Sequence, residues 1–189
     1  MHESCGIFGV YTPGQDTARL VFFALFALQH RGQECAGIAV TDGTTIDVRA
    51  APGLVSQVFD EETLATLKGY AAIGHTNYSA AGSRRPPTPE PILASSGQWT
   101  AAVSHNGNIT NSELLRRELK DAGSHFDTES DAEVVAELIV TSPGNTWKEK
   151  VPNALRRLQG AYSLAILTPD CLIVARDPMG VRPLCIGSL

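Results

Sequence analysis

The sequence lacks long apolar runs, a secretory signal and an excess of positive charge, and each absence excludes a class of protein. No stretch reaches the roughly 18 consecutive apolar residues that a transmembrane helix needs, and no signal-peptide pattern opens the chain. The net charge is −5 at pH 7, which argues against a nucleic-acid partner because a phosphate backbone needs a basic surface. We therefore expect a cytoplasmic protein without membrane or nucleic-acid contacts.

The four cysteines form no C-x-x-C pair. A zinc site or a thioredoxin-like motif is therefore not expected, and disulfides do not persist in a reducing compartment. We predict no metal and no cofactor. Cys35, Cys171 and Cys185 are expected to be small buried hydrophobic residues, whereas the residues around Cys5 set that cysteine apart.

The size and the pattern of apolar residues predict one mixed α+β domain. The chain has 189 residues, of which 43% are hydrophobic and 19% charged, enough to build a core without staples. Predicted strands are 6–11, 37–41, 45–50, 71–75, 100–104, 162–167, 171–175 and 181–186, and predicted helices are 17–29, 60–68, 110–122, 130–140 and 146–159. The helices are grouped rather than strictly alternating with strands, which favours antiparallel sheets.

Local signals mark several boundaries. Thr110 with Glu113 and Ser130 with Glu133 have the spacing of capping boxes, which open helices. Asp42-Gly43 is typical of a tight hairpin. Residues 76–98 contain four prolines and are predicted to form a long loop, which is either functional or a plain surface excursion.

Five segments, in the same order, resemble the glutaminase domain of amidophosphoribosyltransferases, which are class II glutamine amidotransferases. They are Cys5-Gly-Ile-Phe-Gly-Val10, Leu28-Gln-His-Arg-Gly-Gln-Glu34 with Ala36-Gly-Ile-Ala39, Gly53-Leu-Val-Ser-Gln-Val-Phe59, Ser104-His-Asn-Gly-Asn108 with Ser130-Asp131-Ala-Glu133, and Arg176-Asp-Pro-Met-Gly-Val-Arg-Pro-Leu184.

The resemblance covers nearly the whole chain and implies an N-terminal-nucleophile hydrolase fold, a four-layer αββα sandwich with two antiparallel sheets. It implies one glutaminase domain over 1–189, with 1–4 as a removable leader. The family continues into a phosphoribosyltransferase domain that is absent from this sequence. The activity implied is glutamine hydrolysis in the first step of de novo purine synthesis.

The resemblance assigns the nucleophile to Cys5. A thiolate is intrinsically reactive. Removal of residues 1–4 would give Cys5 a free α-amine with a pKa near 8, able to act as a base through water. Without the other motifs, Cys5 would instead be interpreted as a buried thiol at the start of a strand.

Four further residues receive roles from the same resemblance, each with a structural alternative. Asn106 and Gly107 would supply the side-chain amide and the backbone N–H that stabilise the oxyanion, although Asn-Gly is also a common hairpin turn. Asp131 would hold the α-amino group of the substrate, although an acidic residue also suits the first turn of a helix. Arg31 would brace the surroundings of the nucleophile, or act as a cation at a helix C-terminus.

One segment departs from the family pattern His-x-Arg-Tyr-x-Thr-x-Gly. Here it reads His75-Thr-Asn77-Tyr-Ser-Ala80-Ala-Gly82. Asn77 stands where the family has the arginine that binds the substrate α-carboxylate, and Ala80 replaces the threonine. His75, two residues before Asn77, is a further candidate for substrate binding. An Arg–carboxylate pair is a strong contact, so its loss weakens glutamine binding unless Arg84 or Arg85 replaces the cation.

Three hypotheses about function follow. The first is a glutaminase that hydrolyses L-glutamine through a Cys5 thioester and delivers ammonia to a separate phosphoribosyltransferase domain or subunit. The second is a catalytically weak or inactive binding module on the same fold. The third is a hydrolase acting on an amide without an α-carboxylate. A homo-oligomer is compatible with all three.

Overall fold

We analysed a computed structural model, which describes residues 5–77 and 88–188. The strands are β1 (Gly6–Tyr11), β2 (Cys35–Thr41), β3 (Ile46–Pro52), β4 (Ala71–Asn77), β5 (Ile92–Ser96), β6 (Trp99–Ile109), β7 (Gly160–Leu167) and β8 (Leu172–Arg176). The helices are α1 (Thr17–Ala27), α2 (Val55–Val58), α3 (Glu61–Thr66), α4 (Ser112–Asp121), α5 (Asp131–Thr141) and α6 (Trp147–Leu155), and a 3-10 turn spans Gln29–Arg31.

The strands form two four-stranded antiparallel sheets. The first has the order β1-β4-β2-β3 and the second the order β5-β6-β7-β8. One buried apolar cluster joins α1 and α2 to the first sheet, and another joins α4, α5 and α6 to the second. A third cluster, built largely from alanines such as Ala39 and Ala165, lies between the sheets. The predicted αββα sandwich is confirmed.

Small residues between the sheets bring the two layers close together. Ala39 and Ala71 of the first sheet and Ala102 and Ala165 of the second are almost completely buried in the central cluster. Short side chains let the facing sheets approach, because they fill little of the space between them. As a result, the start of β1 and Asn106 of β6 line the same cleft.

Most predicted elements are present, but the predicted strand at 181–186 is wrong. Arg176 donates hydrogen bonds to the carbonyls of Gly180 and Arg182. The Asp177 carboxylate accepts from the Met179 and Val181 N–H groups. These side chains satisfy the backbone that a partner strand would otherwise bind, so the segment forms a loop.

The long loop predicted at 76–98 is only partly correct. Its last part contains β5, a strand of only five residues in which two apolar residues are followed by small and polar ones. Ala80, Arg84 and Arg85 lie outside the described residues.

The capping signals are borne out in part. Helix α4 begins after Asn111, whose side chain bonds the Arg157 carbonyl and the Gln159 N–H, so no capping box forms at Thr110. Ser130 does cap α5 through the Ala132 N–H. Glu133, however, binds the N–H groups of the preceding turn instead of the Ser130 N–H.

The cysteine prediction is correct only for Cys35, which is buried. Cys171 is half-buried and Cys185 is exposed. Within the described ranges, every helix is too short or too polar to cross a membrane.

Candidate active site

Cys5 lies immediately before β1, at one end of the first sheet. Because Gly6 pairs with Thr76, the cysteine lies beside the last residue of β4, Asn77. Its thiol donates a hydrogen bond to Asn77 Oδ1 at 3.3 Å, and Asn77 Nδ2 donates to the Thr88 carbonyl at 3.2 Å. The half-buried thiol is therefore held by the residue that stands where the resemblance expects an arginine.

The 3-10 turn after α1 brings a cation to the same place. Arg31 Nε donates to the Cys5 carbonyl at 3.4 Å. Gln29 fixes the turn, because its Oε1 accepts from the Val55 N–H at 2.7 Å and its Nε2 donates to the Gly32 carbonyl. A Cβ at Gly32 would lie 2.6 Å from the Thr76 carbonyl group, so only glycine lets the turn lie against β4.

A cleft of about 1200 Å³ joins the two sheets at this end of the molecule. Cys5 and Arg31 line it from the first sheet, and Asn106 lines it from the second. Its remaining wall is mostly apolar and comes from β1, β8 and the segment 183–188. A reactive thiol and a side-chain amide from distant parts of the sequence thus face the same space.

Residues 104–109 of β6 extend past β5, because Val103 is the last residue of β6 that pairs with that strand. We call this stretch the open edge of β6. Alternate residues of an antiparallel strand point their N–H and C=O groups to the same side. Tyr162, which faces Gly107 in β7, directs its N–H and C=O to Asp177 instead. The Gly107 N–H therefore points to the open edge.

Two carboxyl groups occupy the neighbouring positions on the open edge. The His105 N–H donates to Glu90 Oε2 at 2.8 Å, and the Ile109 N–H donates to Asp131 Oδ2 at 2.9 Å. Gly107 lies between them, and no side chain in the ranges 5–77 and 88–188 accepts its N–H. A fixed backbone donor beside the Asn106 amide is the arrangement that an oxyanion site requires.

The Asn106-Gly107 pair lies inside a continuous strand, so the hairpin-turn alternative is wrong. Asn106 pairs with Ser163 and Gly107 with Tyr162 without interruption. A Cβ on Gly107 would lie 2.0 Å from the Ala161 carbonyl oxygen, and its φ is +155°. Glycine is required here because the backbone of β7 approaches too closely for any side chain.

Comparison with known proteins decides the family. A family model described as "Glutamine amidotransferase domain" matches residues 84–189. The chain belongs to this family. It is 46% identical to the amidophosphoribosyltransferase of Synechococcus elongatus over 189 residues, which cover 99% of this chain and 38% of that protein. It is also 46% identical to that of Methanocaldococcus jannaschii, over 97% of this chain and 40% of the relative.

A solved structure agrees with the glutamine amidotransferase assignment. The glutamine phosphoribosylpyrophosphate amidotransferase of B. subtilis, complexed with ADP and GMP, matches 98% of this chain with a TM-score of 0.84 and 39% identity. The match covers 39% of that chain. The present chain therefore spans about two fifths of the length of the relatives it matches.

Behind the open edge, this glutamine amidotransferase domain buries three titratable groups. Burial raises the pKa of Glu90 from 4.5 to about 8. Burial also lowers the pKa of His75 from 6.5 to about 3 and that of His105 from 6.5 to about 4. At neutral pH all three side chains are therefore uncharged, as expected when desolvation exceeds the attraction of any partner.

Cys35 lies opposite Asn77 in the β2–β4 pair. Its pKa is raised from 9.0 to about 11, first by burial and then by the negative charge of Glu34. A thiol that stays protonated is a poor nucleophile. Cys35 is therefore not a second candidate for the nucleophile.

The structure brings the sequence-predicted site residues together to different degrees. Cys5, Arg31 and Asn77 form one contact group, and Asn106 shares their cleft. Asp131, the first residue of α5, uses Oδ2 to hold β6 and has a second oxygen able to accept from an ammonium group. His75 is completely buried, so its contacts are with β6 rather than with the cleft.

Glu90 is a residue of the site that no motif in the sequence predicts. It is the only acidic residue between 76 and 98, where it stands between Pro89 and Pro91. The sequence signal that could have identified Glu90 is its isolation in a stretch that is otherwise uncharged or basic. An isolated carboxyl there needs a specific partner. That partner is the backbone of β6, which no sequence pattern connects with residue 90.

Proposed function

We propose that this chain is a glutaminase domain, which hydrolyses L-glutamine to glutamate and ammonia through a thioester on Cys5. The observation that supports it most is that Cys5 and Asn106 line one cleft, with Gly107 next to Asn106 in β6. A nucleophile facing preorganised oxyanion donors is what amide hydrolysis needs.

The proposed reaction begins once residues 1–4 have been removed. The α-amine of Cys5 takes the thiol proton through water, and the thiolate attacks the side-chain carbonyl carbon of glutamine. The tetrahedral intermediate collapses, its C–N bond breaks, and the nitrogen leaves with that proton as ammonia. Water then attacks the thioester, which releases glutamate and restores the thiol.

Each donor has a defined task in this scheme. The Asn106 amide and the Gly107 N–H bind the oxygen that becomes negative in the transition state. Loss of one such donor typically slows a reaction about 100- to 1000-fold. Arg31 holds the Cys5 carbonyl and so orients the nucleophile. Asp131 binds the α-ammonium of the substrate with the carboxylate oxygen that faces away from β6.

We further propose that the ammonia passes to a phosphoribosyltransferase domain or subunit. The full-length relatives are amidophosphoribosyltransferases, and this chain matches less than half of each. The transferase half would consume the ammonia, so the glutaminase half would serve the purine pathway. Cytoplasmic placement belongs to the same proposal.

The intact mass of the purified protein tests the proposal, measured before and after exposure to a diazo-ketone analogue of glutamine. We expect loss of the Met1–Ser4 mass and the gain of one label. The Cys5→Ala variant should take no label, and Cys185→Ala should take one. Cys185 is a matched control because it is exposed and lines the same cleft.

Two outcomes would contradict the proposal. A chain that keeps residues 1–4 and takes no label would favour the binding-module hypothesis, for which the comparisons offer no support. Equal turnover of glutamine and of an analogue without the α-carboxylate would favour a different amide substrate. Released glutamate, compared with the Cys5→Ala control, separates slow hydrolysis from none.

A further inference from the structure

His105, the residue before Asn106, has both its backbone N–H and its backbone C=O held by buried side chains. Glu90 Oε2 accepts from the His105 N–H at 2.8 Å. His75 Nε2 lies 3.1 Å from the His105 carbonyl oxygen and 3.6 Å from Glu90 Oε2. His75 belongs to the first sheet and His105 to the second, so these contacts join the two sheets directly behind the open edge.

The partners determine the proton on His75. A carbonyl oxygen can only accept, so Nε2 carries the proton and donates to His105. Nδ1 then has a lone pair and no partner in the described part of the chain. The ring is therefore neutral, in agreement with the lowered pKa of His75.

Glu90 reaches β6 because the chain around it lies directly on β2. A Cβ on Gly37 would lie 2.0 Å from the Glu90 carbonyl oxygen. Any side chain at position 37 would therefore push this segment, and the carboxyl with it, away from His105. The glycine of the Ala36-Gly-Ile-Ala39 string thus serves the second sheet through Glu90.

We propose that Glu90 and His75 are positioning residues that fix the backbone of His105 and thereby aim the Asn106 amide and the Gly107 N–H at the oxyanion. The inference rests on the proposed function. It also changes the role predicted for His75, which would act through β6 and would not bind glutamine directly. Misplacement of a donor by about 1 Å can cost as much as 100-fold in rate.

Only the acceptor oxygen of Glu90 is needed for this task, not a negative charge. Burial keeps the carboxyl neutral at pH 7, because its pKa is raised to about 8. An amide offers the same acceptor at the same length, so Glu90→Gln should preserve the contact. Methionine has a similar length without an oxygen, so Glu90→Met removes the contact while filling the space.

The kinetic test compares kcat and KM for glutamine in the parent, Glu90→Gln and Glu90→Met. We expect Glu90→Met to lower kcat about 10- to 100-fold with KM changed less than about 3-fold. Glu90→Gln should stay within about 3-fold of the parent. Should Glu90→Met fail to fold, His75→Leu provides the same test, because it removes the donor to His105 and leaves the carboxyl in place. An unchanged kcat in a folded variant overturns the inference.

A second readout does not depend on activity. Amide hydrogen exchange is measured in the Cys5→Ala background, with and without Glu90→Met. We expect exchange at His105, whose N–H loses its acceptor, to accelerate at least about 10-fold, while Ile109, held by Asp131, keeps its rate. Equal acceleration along all of β6 would mean a merely structural role, and no acceleration would mean no hold. A parent that releases no Cys5-dependent glutamate fails the proposed function, and this exchange pattern still decides the inference.

Discussion

The two sides of the cleft are built differently. The nucleophile side consists of Cys5, Asn77 and the 3-10 turn with Arg31, and its side chains are half-buried and joined by long contacts of 3.3 and 3.4 Å. The oxyanion side is the open edge of β6, where Asn106 is only 4% exposed. There, the buried carboxyl of Glu90 and the half-buried carboxyl of Asp131 hold the backbone at 2.8 and 2.9 Å.

This contrast indicates that the oxyanion side is fixed before substrate binds. Oxyanion donors work only if they are fixed before the charge develops, because reorganisation during the reaction costs rate. The nucleophile side must instead admit substrate and, in our proposal, change when residues 1–4 are removed. We therefore expect substitutions on the oxyanion side to cost more than substitutions on the nucleophile side, Cys5 excepted.

The largest effect should come from Gly107→Ala. The added Cβ would meet the Ala161 carbonyl oxygen at 2.0 Å, so β6 or β7 must shift. We expect a loss of about 3 kcal/mol in the free energy of unfolding, measured in urea, and a fall in kcat of about 100-fold or more.

Gly97→Ala is the matched control for Gly107→Ala. Gly97 also has a positive φ, of +59°, and a Cβ there would meet nothing within 4 Å. It should lose about 1 kcal/mol and keep its kcat. Equal effects of the two substitutions would mean that backbone strain, and not the approach of β7, explains Gly107.

The next effect is the pH dependence of stability. Glu90 has a folded-state pKa of about 8 against 4.5, so between these values the folded protein keeps a proton that the unfolded chain has lost. Stability therefore falls as pH rises through this window. His75 and His105 have folded pKa values of about 3 and 4 against 6.5, so their contribution rises with pH up to 6.5.

Together these three groups predict a maximum of stability near pH 6.5. Below that pH the two histidines outweigh the one carboxyl, and above it Glu90 outweighs the histidines. We expect the free energy of unfolding to fall by about 1 kcal/mol between pH 6.5 and 8, because the loss from Glu90 exceeds the remaining gain from the histidines. Urea unfolding at both pH values measures it, and Glu90→Gln should abolish most of the fall. Parallel curves for parent and variant would show that Glu90 does not titrate in this range.

The sequence pattern was sufficient to predict the bounds of elements that have strong local signals. Strand β1 coincides with its predicted range, and α5 differs by one residue at each end. Strand β6 was predicted to end at Ser104, because Asn106-Gly107 is typical of a turn. It continues to Ile109 because β7 pairs with it and because Glu90 and Asp131 bind its free edge.

The features that could not be predicted all depend on tertiary contacts between residues that are distant in the sequence. The position of Cys5 next to Asn77 follows from strand order, which local patterns do not contain. The loop at 181–186 has the composition of a strand, and only the bonds from Arg176 and Asp177 prevent pairing. The family resemblance predicted that Cys5 and Asn106 share one site, but it did not predict the contacts that hold them there.

A smaller effect is expected for Asn77→Arg on the nucleophile side. A guanidinium near the substrate α-carboxylate would form a charge-assisted pair, so the KM for glutamine should fall about 10-fold. Steady-state kinetics measures it. Asn77→Leu is the control, because it loses the Cys5 and Thr88 contacts without adding a cation. A glutamine analogue without the α-carboxylate should gain nothing, and an equal gain would refute the mechanism.

The smallest effect is expected for Gln29→Ala, which removes the support of the 3-10 turn. The Val55 N–H would lose its acceptor at 2.7 Å, so the free energy of unfolding in urea should drop by about 1 kcal/mol. Gln33→Ala, at an exposed glutamine two residues after the turn ends, should change nothing. Since Arg31 braces Cys5 from this turn, kcat should fall less than about 3-fold. A fall of 100-fold would show that the nucleophile side is as strictly prepared as the oxyanion side, and the contrast between them would not hold.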